Sequence, residues 1–260
     1  MNKSSQKPEE RRRILWRVSG CGVVLSLLWL FRSTLCAQEP NFRDLPGQFA
    51  VEPPLAHHSG PHHPMPLDQY IALLEDPQRD EWQKPDAVMQ ALKLQDGQVV
   101  ADIGAGSGYF TLRLARAVGP KGTVLALDVD EGMLNYLRQR LAKENLQNVK
   151  VTKVSPHDPL LNANSLDLVF VCDVYHHFEE REAYLQKLRK ALKPAGRLVI
   201  VDFYQRETPV GPPLAMRLSE ETVEKELQSA GLHVTEKLTS LPYQYILIAQ
   251  PTTKTSTEGP

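Results

Sequence analysis

The sequence predicts an α/β fold in three layers, a mainly parallel sheet with helices on both faces, and three observations carry that reading. From about residue 98 onward, strand-like and helix-like stretches alternate, the order that builds parallel strands through helical crossovers. The strand-like stretches are rich in Val, Leu and Ile and mostly apolar on both faces, as strands covered on both sides should be. The chain then closes with two strand-like halves and no helix between them, which places an antiparallel pair at the end of the sheet.

Taken in order, LDQYIALLEDPQRDEW has apolar residues at 67, 70, 71 and 74, a helical spacing. KPDAVMQALKL continues as a second helix with Pro85 in its first turn, where the missing amide costs nothing. The strands are QVVADIG, TVLALDV, NVKVTKV, LDLVFVC and GRLVIVDF; the helices among them are FTLRLARAV, EGMLNYLRQRLAKE and EREAYLQKLRKAL. The third of these helices is expected to stop at Pro194 and Gly196, both ordinary terminators. A last helix follows Ser219, an N-cap type, with Glu220 and Glu221 in its first turn, and ends at Gly231. HVTEKLTSLPYQYILIAQ supplies the closing strands, turning near Pro242. The folded domain therefore spans residues 67–250, and residues 251–260 read as a frayed tail.

Apolar residues make up 42% of the chain and charged ones 23%, with a net charge of −1. That is an ordinary globular balance with no basic surplus to attract nucleic acid or anionic lipid. Cys21, Cys36 and Cys172 do not make a disulfide framework. At the N-terminus, Arg11, Arg12, Arg13 and Arg17 precede an apolar stretch from Val18 to Phe31, and a small residue follows at Ala37. Residues 1–37 thus read as a secretory signal peptide, or as a signal anchor that associates with the membrane through residues 14–31. The apolar core is short against the roughly 20 residues of a bilayer span. Arginines ahead of it would keep the N-terminus inside and send the bulk of the protein out. If translation began at Met65 instead, the protein would be cytoplasmic. Residues 38–66 read as a flexible Pro/His-rich linker. Paired histidines such as His57, His58, His62 and His63 can bind a transition metal, but no carboxylate or cysteine stands among residues 53–67 to complete a site, so no metal is expected.

The chemistry concentrates in ADIGAGSGYF. Gly104, Gly106 and Gly108 follow the first strand at every second position, with Asp102 just ahead. Bare backbone in a strand-to-helix turn lets a ligand approach closely, and the following helix aims free amides at it. Asp128 ends the next strand, twenty positions beyond Gly108, where a carboxylate can accept hydrogen bonds from both ribose hydroxyls of an adenosine. A dinucleotide loop would need glycine at 109, and this chain has Tyr109. No P-loop lysine follows. An NAD-dependent oxidoreductase is therefore the weaker reading.

On these residues the chain resembles the class I S-adenosylmethionine-dependent methyltransferases, in the small-molecule branch that includes quinone-biosynthesis and arsenite methyltransferases. VVADIGAGSGYF, VLALDVDEGML, SLDLVFVCDVYHHF and LRKALKPAGRLVIVDF carry the resemblance, over about Gln83 to Ala249. It implies a Rossmann-like seven-stranded sheet whose last strand is antiparallel, S-adenosyl-L-methionine as cofactor, and a small-molecule methyl acceptor. It also implies that Gly104, Ala105, Gly106 and Gly108 lie under the cofactor, that Asp102 faces its methionine portion, that Asp128 holds the ribose and that Val129 packs near the adenine. Asp173 would line the methionine and substrate side. The family often has an acid after the third strand that meets the adenine amino group. Ser155 stands there in this chain, so Ser155 or nearby Asp158 would substitute. Arsenite is disfavoured as acceptor because methylating it needs several cysteines.

Methyl transfer from a sulfonium is an in-line displacement dominated by alignment; a base helps when the accepting atom carries a proton. The residues after the fourth strand supply candidates, Asp173 and His176 first, with Tyr175 and His177 beside them. Tyr70, Trp82, Tyr109 and Tyr204 could wall an acceptor pocket or belong to the core. Arg217 could meet an anionic group or a surface carboxylate. An active methyltransferase and a catalytically silent binding protein of the same fold both remain open on the sequence.

Overall fold

The computed structural model describes residues 65–252. The signal segment, the four linker histidines and residues 253–260 lie outside the described residues. The elements are α1 (Leu67–Leu74), α2 (Arg79–Gln83), α3 (Pro85–Leu92), β1 (Val99–Ile103), α4 (Thr111–Ala117), β2 (Thr123–Asp128), α5 (Glu131–Lys143), β3 (Val149–Lys153), β4 (Leu166–Cys172), α6 (Arg181–Ala191), β5 (Leu192–Phe203), α7 (Glu220–Ser229), β6 (Leu232–Leu238) and β7 (Gln244–Pro251). Short 3-10 turns cover Tyr175–His177 and Leu214–Met216.

The strands form one seven-stranded sheet in the order β3-β2-β1-β4-β5-β7-β6. β1 to β5 pair in parallel, and β7 runs antiparallel to both β5 and β6. The final hairpin lies at the edge of the sheet, as expected, with its second strand beside β5 and β6 outermost. β7 takes in Pro251, one position past the expected domain end.

Alternate residues of the central strands face opposite covered layers, whereas the edge strands β3 and β6 expose alternate residues. Val169, Val171, Leu198, Ile200 and Leu247 pack with Leu185, Leu188, Val223 and Leu227 of α6 and α7. Leu168, Phe170, Val199, Val201 and Ile248 pack with Val88, Leu92 and Leu114 of α3 and α4. Pro85 opens α3 as expected, and the Ser219 hydroxyl accepts from Thr222 N at 3.2 Å to cap α7. α5 is capped by Asp130, whose Oδ1 accepts from Met133 N at 2.9 Å.

Two local readings change. The first helical stretch breaks at Leu74 and restarts as α2, because the peptide before Pro77 is biased away from helix. α6 stops at Ala191, and Pro194 and Gly196 lie inside β5, where Leu166 pairs with Leu192 but Leu168 pairs with Arg197. The terminators thus form a bulge. Asp167 steadies it, accepting from Lys193 Nζ at 2.8 Å and from Val99 N at 2.8 Å. Among the described residues no helix is long and apolar enough to cross a membrane.

Candidate functional site

The glycine loop leaves β1 at the carboxyl edge of the sheet, beside the β1–β4 switch in strand order, where open parallel sheets bind ligands. Gly104 and Ala105 donate their amides to the Leu127 carbonyl at 2.8 and 3.0 Å, lashing the loop to β2. All three glycines have positive φ, at 71°, 52° and 90°. Their surroundings differ. A Cβ at Gly104 would strike Val174, with Cγ1 at 2.8 Å, and one at Gly108 would strike Leu137 and Leu112. A Cβ at Gly106 would make ordinary contacts alone, with Leu74 Cδ1 at 3.6 Å and the Gly104 carbonyl at 3.9 Å. Gly104 and Gly108 are therefore required by packing beneath the loop, and Gly106 is the one where a side chain would meet no close obstacle.

Asp128 reaches that position. Its Oδ2 accepts from Gly106 N at 2.7 Å and its Oδ1 from Asp130 N at 2.9 Å. Burial raises its pKa and these amides oppose the rise. Val129 beside it is half-buried and packs on the core. Asp102 is buried at the end of β1 and accepts from Thr111 Oγ1 at 2.6 Å; burial pushes its carboxyl up to about 7. A folded-state pKa above the unfolded one means that stability is lost as pH rises between the two. In the cofactor-free protein Asp102→Asn is therefore expected to stabilise at pH 8, on the order of 2–4 kcal/mol, and to be near neutral at pH 4. Urea titrations at the two pH values check this.

The helices α1 and α2 lie across the loop as a strap with three latches. Glu75 Oε1 accepts from Ser107 Oγ and from Arg140 Nη1, each at 2.5 Å. Asp80 accepts from the Tyr109 hydroxyl and pairs with Arg113 at 3.6 Å. Arg79 stacks 4.0 Å from the Tyr109 ring centre and pairs with Asp173 at 3.4 Å. Tyr70 of α1 feels both acids of the cleft: burial, then the charges of Asp128 and Asp173, raise its pKa.

Asp173 follows β4 in a left-handed conformation, φ 59°, and burial pushes its carboxyl up to about 6 against the pull of Arg79. His176 is turned inward. Its Nδ1 lies 2.9 and 3.0 Å from the two oxygens of Asp202, and the side chains are 3% and 1% exposed. Burial works against its charge, but the Asp202 bond and charge win and raise its pKa. Neighbouring His177 is exposed, yet partial desolvation and then the His176 charge lower its pKa. Tyr175 is buried and donates to Glu226 Oε2 at 2.6 Å, which removes it from the candidates.

The remaining candidates disperse. Ser155 is exposed and shares an isolated bridge with Asp158. The carboxylate of Asp158 accepts from Leu160 N at 2.9 Å and pairs with Lys187 of α6 at 3.6 Å; no hydrogen bond joins either residue to the glycine loop. Tyr109 is a latch rather than a pocket wall. Trp82 packs on Phe203 with ring centres 5.5 Å apart, and Tyr204 packs on Tyr245 at 5.8 Å. Arg217 makes no ion pair with a surface acid among the described residues. It is buried, and its guanidinium donates to the carbonyls of Pro212, Arg206, Val210 and Tyr204 and to Thr208 Oγ1. That fixes the Pro-rich loop from inside.

A family model described as a methyltransferase domain matches residues 94–249, more than half of the chain. The chain belongs to this methyltransferase family. A solved S-adenosylmethionine-dependent methyltransferase from Aquifex aeolicus is 32% identical, with TM-score 0.67, over 71% of this chain and 98% of that one. A demethylmenaquinone methyltransferase of Listeria monocytogenes is 27% identical over 50% of this chain and 54% of its own length. A ubiquinone/menaquinone biosynthesis C-methyltransferase of Vibrio vulnificus is 29% identical over 46% of this chain and 45% of its own. The chain spans about half the length of these last two relatives.

The methyltransferase cofactor, S-adenosylmethionine, finds matching groups here. Gly106 leaves room for close approach, Asp128 has lone pairs left for a ribose diol, and Asp173 offers negative charge to a cationic methionine end. The adenine amino group finds no acid at Ser155. Sequence reasoning missed Glu75, Arg79, Gln83 and Asp202. A signal existed for the middle two: Arg79, Trp82 and Gln83 share one helical face by their i, i+3, i+4 spacing.

Proposed function

We propose that this methyltransferase transfers a methyl group from S-adenosylmethionine to a small, flat acceptor of the hydroquinone class, by in-line displacement. The observation that carries the reading is the Asp128 carboxylate bonded to Gly106 N at 2.7 Å, which joins the ribose acid to the one loop glycine whose missing side chain is not required by close packing. The names of the two partly covered relatives, a demethylmenaquinone methyltransferase and a ubiquinone/menaquinone biosynthesis C-methyltransferase, support the acceptor class. So does the apolar rim, in which Trp82 packs on Phe203 and Leu214 and Met216 are each 40% exposed. Such a rim suits a lipid-like tail.

When bound, the donor supplies a sulfonium-activated methyl. The chain's own residues hold and align. Asp128 accepts from the ribose, the strap excludes water from above, and Asp173 sets its charge against the cationic end. Where the acceptor atom carries a proton, Asp173 Oδ2 takes it on a lone pair left beside the long Arg79 contact of 3.4 Å, while Gln244 holds Oδ1. His176, paired with Asp202, backs Asp173 and does not reach the acceptor. Calorimetric titration with S-adenosylmethionine, then incubation with demethylated naphthoquinols and mass analysis for one added methyl, tests the reading. An absence of donor binding at millimolar concentration overturns it.

The catalytically silent alternative is favoured by one observation, the exposed Ser155 where an acid would meet the adenine. Donor binding without methylation of any quinol would select it. Residues 1–37 we assign to export or anchoring, with the domain outside; the mass of the native N-terminus and cell fractionation test that, and a start at Met65 refutes it.

A further inference from the structure

Four side chains from three distant parts of the chain close a hydrogen-bonded ring beside the cleft. Arg79 Nε and Nη2 donate to Gln83 Oε1 at 3.3 and 3.1 Å. Gln83 Nε2 donates to Gln244 Oε1 at 2.6 Å. Gln244 Nε2 donates to Asp173 Oδ1, and Arg79 Nη2 returns to Asp173 Oδ2 at 3.4 Å. Both glutamines are fully buried. The ring has only one sense. Arginine has donors alone, so Gln83 must turn its oxygen to Arg79 and its amide to Gln244. Gln244 must then turn its own amide to Asp173, which an ionised carboxylate accepts more strongly than a protonated one.

We propose that Gln83 and Gln244, polarised by Arg79, are positioning residues that keep the Asp173 carboxylate charged and fixed at the cleft as the seat for the cationic end of the methyl donor. The proposal rests on the reading of Asp173 given above. A buried acid in an apolar setting drifts toward its neutral form, and Asp173 is already displaced to about 6. Three donors oppose that drift, Gln244 on Oδ1 and Arg79 and Cys172 Sγ on Oδ2. The other groups facing Asp173 are His176 of the 3-10 turn, Asp202 of β5 and Tyr70 of α1; Asp202 pushes the carboxyl further up, and His176 and the Cys172 hydrogen bond pull it down. The ring also explains why a left-handed aspartate is held at this point, since its carboxylate is tied to α2 and to the first residue of β7.

The test is the dissociation constant of S-adenosylmethionine measured by calorimetry from pH 5 to 8, which needs no acceptor. Wild-type affinity is expected to fall as pH drops through about 6. Gln244→Met should move that midpoint up by about one pH unit, the size of a lost charge-assisted hydrogen bond. Gln83→Glu keeps the side-chain shape and the Arg79 bonds but offers Gln244 an acceptor where it had a donor. The Gln244 amide then turns over, presents oxygen to Asp173 and raises the midpoint as well. The double variant Gln83→Met/Gln244→Met should move the midpoint no further than Gln244→Met alone, because residues of one ring act as a unit. Near-ultraviolet circular dichroism checks that each variant is folded, and Gln83→Glu decides if Gln244→Met is not. An unmoved midpoint in the folded variants, with affinity still lost in Asp173→Asn, overturns the ring's role and leaves that of Asp173 standing. Wild-type affinity at every pH in Asp173→Asn overturns both.

Discussion

Asp128→Ala is expected to weaken S-adenosylmethionine binding by 100-fold or more, from about 10² to 10⁴ for two hydrogen bonds to a charged acceptor. Two losses add. The ribose diol loses its acceptor, and Gly106 N, held now at 2.7 Å, loses the partner that orients the loop. Asp128→Asn separates them. An asparagine oxygen can still accept from Gly106 or from one hydroxyl, so the loop survives while one ribose bond is lost, and an intermediate loss of about tenfold is expected. Isothermal titration at pH 7.5 measures both. Equal, small effects for the two variants would mean that the adenosine sits elsewhere.

The strand pattern, the helix caps and the loop acids were legible because each is a local signal. Apolar runs on both faces name a parallel strand, Ser219 announces α7, and glycines at 104, 106 and 108 with Asp128 beyond them mark a turn and its acid. What the sequence concealed is non-local. The ring joins residues separated by 94, 161 and 71 positions, and nothing near Gln244 marks it as the partner of an acid after β4. Arg217 misled for a different reason. A buried arginine without a carboxylate is expected to be costly, but five acceptors from a Pro-rich loop solvate it, and no local pattern encodes that. Pro194 and Gly196 were read by type as helix stops, whereas β5 absorbs them because Lys193 and Asp167 pair across the bulge. His176 looked available by titration range alone; its burial against Asp202 is a tertiary fact.

The glycines of the loop are expected to separate folding from binding. Gly104→Ala meets two obstacles at once, a φ of 71° and the branched side chain of Val174 within 3.1 Å at three atoms. Val174 cannot turn aside without moving its neighbour Asp173 at the end of β4. The combined strain and overpacking should cost about 2–4 kcal/mol of stability, enough to lower the melting temperature visibly, and donor affinity should fall with it. Gly106→Ala meets the same left-handed φ, 52°, but only an ordinary contact with Leu74. Its stability cost should stay near 1 kcal/mol. Its binding cost should be the larger, because the new methyl group enters the space left for the donor above the amide that Asp128 holds. The diagnostic result is therefore an inversion: Gly104→Ala with the lower melting temperature, Gly106→Ala folded and stable yet with donor affinity reduced at least tenfold, as expected when a ligand and a methyl group compete for one space. Thermal melts without donor, followed by calorimetry on the same samples, read both quantities. A Gly106→Ala protein that binds S-adenosylmethionine like wild type would show that the donor does not approach the loop at its open glycine.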